Sequence, residues 1–321
     1  MIRDRREAFK NGRAAGRVRL AAMRSATLFA LLALACGLAA DAPAVRAQAP
    51  GAVVPPAAPA PGPAATGRPT EADLQAITDG GRRIASYHEA IARSRAALAQ
   101  RQPDQAEARA VAVERNGVTH VIFLRRDQVG PEARGWVPIA DATWQPRAGE
   151  VASLVMMDKA KPPAADVTQH LRALEAARGG AAAKSGGPPP PYDEAVFKER
   201  GATAYVVYLQ TRPERADAAR FGSDARFRIS GDGLQVLEML PLHAETTTVA
   251  VPARAGASPT LHSHTQRDLP AETDVAVVLD HPALAPHLVL TPRHMFRIES
   301  DGVISWLGPN AVPPASPGGA R

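Results

Sequence analysis

A run rich in glycine and proline at residues 179–191 constrains this fold most; it opens with Gly179-Gly180 and closes with Pro188-Pro189-Pro190-Pro191. Proline fixes φ and removes a backbone donor, while glycine raises the entropy lost on ordering, so such a run interrupts regular structure. It predicts a linker between an N-terminal α+β domain, residues 70–178, and a C-terminal domain, residues 192–308, each of ordinary domain size. Residues 48–69, as in Val54-Pro55-Pro56-Ala57-Ala58-Pro59, have no apolar periodicity and read as a disordered Ala/Pro tether. Residues 309–321 read as a loose tail of similar composition.

Residues 1–47 have the pattern of a signal peptide. Arg3, Arg5, Arg6, Lys10, Arg13, Arg17, Arg19 and Arg24 precede the apolar run Ala26–Ala35, which is short for a membrane span. Cleavage is expected after Val45-Arg46-Ala47, with Ala42-Pro43-Ala44 as the alternative. A start at Met23 would leave a conventional leader, and Arg5-Arg6 weakly resembles a twin-arginine signal. The expected location is periplasmic or secreted. Of 38 Lys/Arg and 32 Asp/Glu, nine and three fall in this segment, so it carries the whole net charge of +6 and the rest of the chain is balanced. No nucleic-acid partner is expected, nor a transmembrane helix in the mature chain; the expected partner is a protein or the cell envelope. The single cysteine, Cys36, also lies in the leader. Any metal held by the mature chain must therefore use His, Asp or Glu.

Beyond the tether, Leu74, Ile77, Ile84, Ile91 and Leu98 predict an amphipathic helix that Gly80-Gly81 kinks or splits. Asn116-Gly117 between two apolar runs predicts a hairpin. Val167, Leu171 and Leu174 predict another helix. The second half reads as a short helix near residues 193–200, strands near 204–209, 226–229, 234–240 and 246–251, a helix from Pro270 to about His281, and strands near 288–290, 295–298 and 303–307. The expected class is α+β, with a mixed or antiparallel C-terminal sheet against one or two helices.

His262-Ser263-His264, followed ten residues later by Asp274, is the one segment with evident chemistry. On a strand, alternate side chains share a face, so His262 and His264 aim at one point. A carboxylate in the first turns of the next helix can reach back to them. That set is a candidate three-ligand metal site: zinc if the residues converge, otherwise no cofactor. Six of the nine histidines lie between residues 243 and 294, but their spacing suits no single ligand set. Trp136 and Trp144 flank a segment that reads either as an exposed aromatic loop or as packing.

Barrel hydrolases that begin with a His-x-His motif need far more chain than the 57 residues after His264, and metallo-β-lactamases need Asp-His where Gln266-Arg267 stands. Residues 262–274, within a region of about 200–307, resemble the JAMM/MPN (JAB-like) metalloprotease family. There a His-x-His strand end precedes an Asp at a helix start. The resemblance implies His262, His264 and Asp274 as zinc ligands, water at the fourth position and an upstream glutamate as general base, with Glu238 first and Glu245 second. Thr265 stands where that family has proline, and Ala271 where it has a serine that polarises the scissile carbonyl. The pattern is that of a degenerate member. The leading expectation is an exported protein with a binding or envelope-associated role; the alternative is a secreted zinc hydrolase that cuts peptide or isopeptide bonds.

Overall fold

The first helix, α1 (Glu71–Arg101), begins at a reciprocal cap. Thr70 Oγ1 accepts from the Asp73 amide at 3.1 Å, and the Asp73 carboxylate accepts from the Thr70 amide at 3.3 Å. This computed structural model describes residues 67–127, 135–157, 161–185, 190–199, 201–215, 217–254 and 258–310. The leader, most of the 48–69 tether and the tail from 311 lie outside them. A buried stripe of Ile77, Gly81, Ile84, Tyr87, Ser94 and Leu98 runs along α1. The helix continues through Gly80-Gly81 rather than dividing there.

Four antiparallel strands follow in a meander: β1 (Arg109–Arg115), β2 (Val118–Asp127), β3 (Gly135–Gln145) and β4 (Glu150–Met156). Asn116 and Gly117 turn the first hairpin at φ 53° and 76°, the left-handed region their types tolerate. Both tryptophans belong to β3. Trp144 is buried and Trp136 is partly covered, its indole N–H donating to Glu175 at 3.3 Å.

Helix α2 (Ala165–Ser185) contains Gly179 and Gly180, which the sequence assigned to the linker. Alanines at 181–183 extend the helix, and a Cβ at Gly180 would stand 3.2 Å from the Phe227 ring. The short helix expected near residues 193–200 is instead a strand, β5 (Tyr192–Lys198). It pairs along its whole length with β6 (Tyr205–Thr211), burying Ala195 and Val196. Tertiary pairing overrides the local signal there. With β8 (Ala225–Ile229) and β9 (Val236–Pro241) they form an antiparallel sheet ordered β5-β6-β8-β9, while β7 (Ala218–Phe221) pairs with β10 (Thr247–Ala250).

The last sheet is mixed: β11 (Thr260–Ser263) runs parallel to β12 (His287–Leu290), and β13 (His294–Ile298) and β14 (Ile304–Pro309) follow antiparallel. A parallel pair needs a crossover, and α3 (Glu272–Asp280) provides it. The protein is thus α+β, as its sequence predicts.

One apolar cluster runs from Ile84 and Leu98 of α1 through Phe123, Trp144 and Leu174 to Tyr205 and Phe227, so the stretches before and after residues 179–191 share it. A second joins Ile77 to Val275, Val278, Val289, Phe296 and Ile298. The glycine pair of α1 makes that second cluster possible. A Cβ on Gly81 would lie 2.4 Å from Val275 Cβ and 2.7 Å from the Glu272 carbonyl oxygen, so only glycine lets α3 approach so closely. Arg82, whose guanidinium donates to the Asp301 carbonyl, and His88, 3.0 Å from Asp280, tie the same helix to the C-terminal elements.

Candidate metal centre

The α1 notch seats the first turn of α3, and that turn carries Asp274. Ala271 caps this helix without a side-chain acceptor, so Asp274 supplies half of a capping box: its Oδ2 accepts from the Ala271 amide at 2.7 Å. The bond turns the carboxylate back toward the end of β11. There His262, on the strand, and His264, just past it, face the same way. The His262 Nε2 atom lies 3.3 Å from Asp274 Oδ1, and His264 Nε2 lies 3.0 Å from Oδ2. The two Nε2 atoms are 2.9 Å apart. The three residues that the sequence proposed are therefore brought together.

A fourth residue joins them. His243, between β9 and β10, places Nε2 2.8 Å from Asp274 Oδ1. The four donor atoms lie within 4.8 Å of one another, and all four side chains are almost wholly removed from solvent. Glu238 and Glu245 stand outside the group. Glu238 is exposed on β9, an outer strand where Val236 and Leu237 also face solvent. Glu245 is exposed in the turn after His243.

Proton positions can be followed outward from His262. Thr260 Oγ1 lies 2.6 Å from the Leu284 carbonyl oxygen, and two acceptors at that distance would repel, so the hydroxyl donates. Having spent its one proton, Thr260 accepts from His287 Nδ1, also 2.6 Å away. A neutral His287 then offers only a lone pair at Nε2, which accepts from His262 Nδ1 at 2.7 Å. Burial pulls the His287 imidazole down to about 3, which keeps it neutral. The consequence falls on His262: its proton sits on Nδ1, and its Nε2 lone pair points at Asp274.

The centre is consequently short of donors. A lone pair and a carboxylate oxygen face each other at 3.3 Å, and one proton on His264 Nε2 must serve both neighbours. Burial lowers the His262 imidazole, and the pull of Asp274 does not restore it. Burial would raise the Asp274 carboxyl, but the surrounding imidazoles hold it well below the usual range, His243 through a bond of 2.8 Å. For His243 burial works downward, yet Asp274 and then Asp224 outweigh it and raise the imidazole. Asp224, whose Oδ2 is 3.6 Å from His243 Nδ1, is itself raised to about 7 by its own burial. A divalent cation would satisfy all four donors at once. Zinc–nitrogen bonds of 2.0–2.1 Å set tetrahedral edges of roughly 3.3 Å, and the contacts of 2.8, 2.9, 3.0 and 3.3 Å are of that order, within a set that spans up to 4.8 Å.

Space around the group is small. The recess bordered by His243, His264, Ser263 and Arg267 has a volume of about 10 Å³, near that of a single water. Cavities of about 770 and 1320 Å³ occur elsewhere, bordered by none of the four residues. Among the described residues, no helix is long and apolar enough to cross a membrane.

His243 and His287 are the functional candidates missed at the sequence level. Their one signal was the crowding of histidines between 243 and 294, and the structure gathers four of those six. His294 is buried separately beside Trp306, and His281 ends α3. Compared with known protein families, curated proteins and solved structures, the chain matches none.

Proposed function

We propose that this chain is a metal-binding protein in which His243, His262, His264 and Asp274 hold one Zn²⁺ ion as a closed, structural centre. The observation that carries the reading is the convergence of three Nε2 atoms and one carboxylate in a buried site. Structural zinc sites are four-coordinate and filled by protein, whereas catalytic ones keep a position for water. His243 takes the fourth position here, and the adjoining recess has no room for a peptide. The likeness of residues 262–274 to JAMM/MPN domains fits the same picture, with His243 where that family leaves water. The role that follows is binding rather than cleavage: the ion would fix the β9–β10 turn, β11 and α3 against one another. The leader-like residues 1–47 support placing this protein in the periplasm or outside the cell.

Metal analysis of the purified protein tests the proposal. One equivalent of zinc per chain is expected, and His264→Ala should lose it. Absence of stoichiometric metal from the wild type, or full retention in His264→Ala, would overturn it. The peptidase alternative predicts zinc-dependent cleavage of peptide or isopeptide bonds that disappears in His264→Ala; the closed centre predicts none.

A further inference from the structure

We propose that His287 is a positioning residue for the metal, the middle of a relay that presets His262 as a ligand. This inference rests on the metal-binding reading and names what prepares the site. Ligand histidines in metal centres typically donate their second N–H to a fixed acceptor, which locks both tautomer and ring angle. Here the acceptor is another imidazole. His262 donates to His287, His287 to Thr260 and Thr260 to the Leu284 carbonyl oxygen, at 2.7, 2.6 and 2.6 Å. Thr260 and His287 are direct partners across the parallel β11–β12 pair, so the backbone register sets their spacing.

The relay is also held flat. The His262 and His287 rings are near-parallel, 18° between their planes, and a 5.0 Å centroid distance with a 2.7 Å N···N bond sets them edge to edge. Phe221 covers both, its ring 4.3 Å from one centroid and 4.5 Å from the other. A rotation of His262 about χ2 would break the bond to His287 and lift the ring off Phe221. The main-chain carbonyl at the far end cannot reverse its role, so the relay has one direction. That direction leaves the Nε2 lone pair facing Asp274 before any ion arrives.

The test uses the full chain, stripped of metal and titrated with Co²⁺ alone, with its visible ligand-field bands as readout. Wild type should bind one equivalent with the spectrum of a four-coordinate site. His287→Leu should weaken Co²⁺ binding by roughly 10- to 100-fold, the usual cost of losing an outer-sphere partner of a ligand. His287→Gln offers a carbonyl to His262 and an amide to Thr260, and should recover most of that loss. Thr260→Val leaves His287 in place without its anchor and should fall between, which keeps the test open if His287→Leu does not fold. The relay is overturned if His287→Leu or Thr260→Val binds Co²⁺ as wild type does, or if His287→Gln is no better than His287→Leu. A wild type that takes up no Co²⁺ would instead remove the metal-binding reading on which the relay depends.

Discussion

Between α1, α2 and the first two sheets, Ile84, Leu98, Phe123, Leu174 and Phe227 are wholly buried against one another. Beside α3, Phe221 is buried just as deeply, but its ring stacks on His262 and His287, with Asp274 and His264 just beyond. The two regions exclude water equally and are stabilised differently. Hydrocarbon needs only contact, at about 25 cal/mol per Å² removed from water. Imidazoles and carboxylates lose hydration on burial and regain it only through protons or cations. The first region should therefore be indifferent to metal, and the second should depend on it.

The largest expected effect comes from substitutions that separate these two behaviours. Asp274→Ala should cost about 3–5 kcal/mol in urea unfolding, the range for removing one partner from a buried charged group. It should also abolish any response to chelator. Leu174→Ala should cost about 2–5 kcal/mol through the cavity it leaves, yet retain the full chelator response. If chelator destabilises neither the wild type nor Leu174→Ala, the contrast between the regions fails.

A smaller effect is expected at the contact that joins them. Gly81→Ala should destabilise by about 1–3 kcal/mol through overpacking against Val275 and the Glu272 carbonyl, partly offset by a gain of about 1 kcal/mol in helix propensity. The Cβ of Gly80→Ala would stand 2.7 Å from Glu272 Cγ, in a side chain held by Arg226, but meets no backbone, so its loss should be smaller than that at Gly81. Equal losses at the two positions would show that helix curvature, not the close approach to α3, fixes these glycines.

The smallest effect concerns an ion pair on the rim of the large core. Arg115 grips Asp166 with two bonds of 2.7 and 3.0 Å and, through them, holds the Asp166 carboxyl below its usual 3.8. A carboxyl depressed in the folded state contributes stability above its unfolded pKa and loses it as pH falls through the folded value. Asp166→Asn should therefore cost under about 1 kcal/mol at neutral pH, since the pair is partly exposed, and nothing in strong acid. A penalty that persists in strong acid would mean the carboxyl acts by shape rather than charge.

The sequence discloses features encoded within a few residues. Asn116-Gly117 specifies its own turn, and His262-Ser263-His264 specifies a shared strand face. Asp274 was legible because it lies within one short loop of them. His243 and His287 reach the centre through strand order instead: His243 from the turn after β9, His287 from the strand parallel to β11. No local spacing encodes that. Gly80-Gly81 misleads for a related reason, since its helical cost is visible locally while its partner Val275 is remote in sequence. Residues 193–198 likewise take their conformation from pairing with β6.

The docking of α1 on the C-terminal elements has a consequence in time. Arg82 meets Asp301 across 219 positions of sequence, whereas the meander of β1 to β4 is joined by neighbouring strands. Contacts that close long stretches of chain carry the larger entropic cost and tend to form late. During synthesis the meander can pair long before Asp274 has left the ribosome. The turn bearing that carboxylate finds its seat only when the opening helix and the last strands have met. Capture of an ion would then mark the end of folding, a seal set once the first helix and the last strands have already found each other.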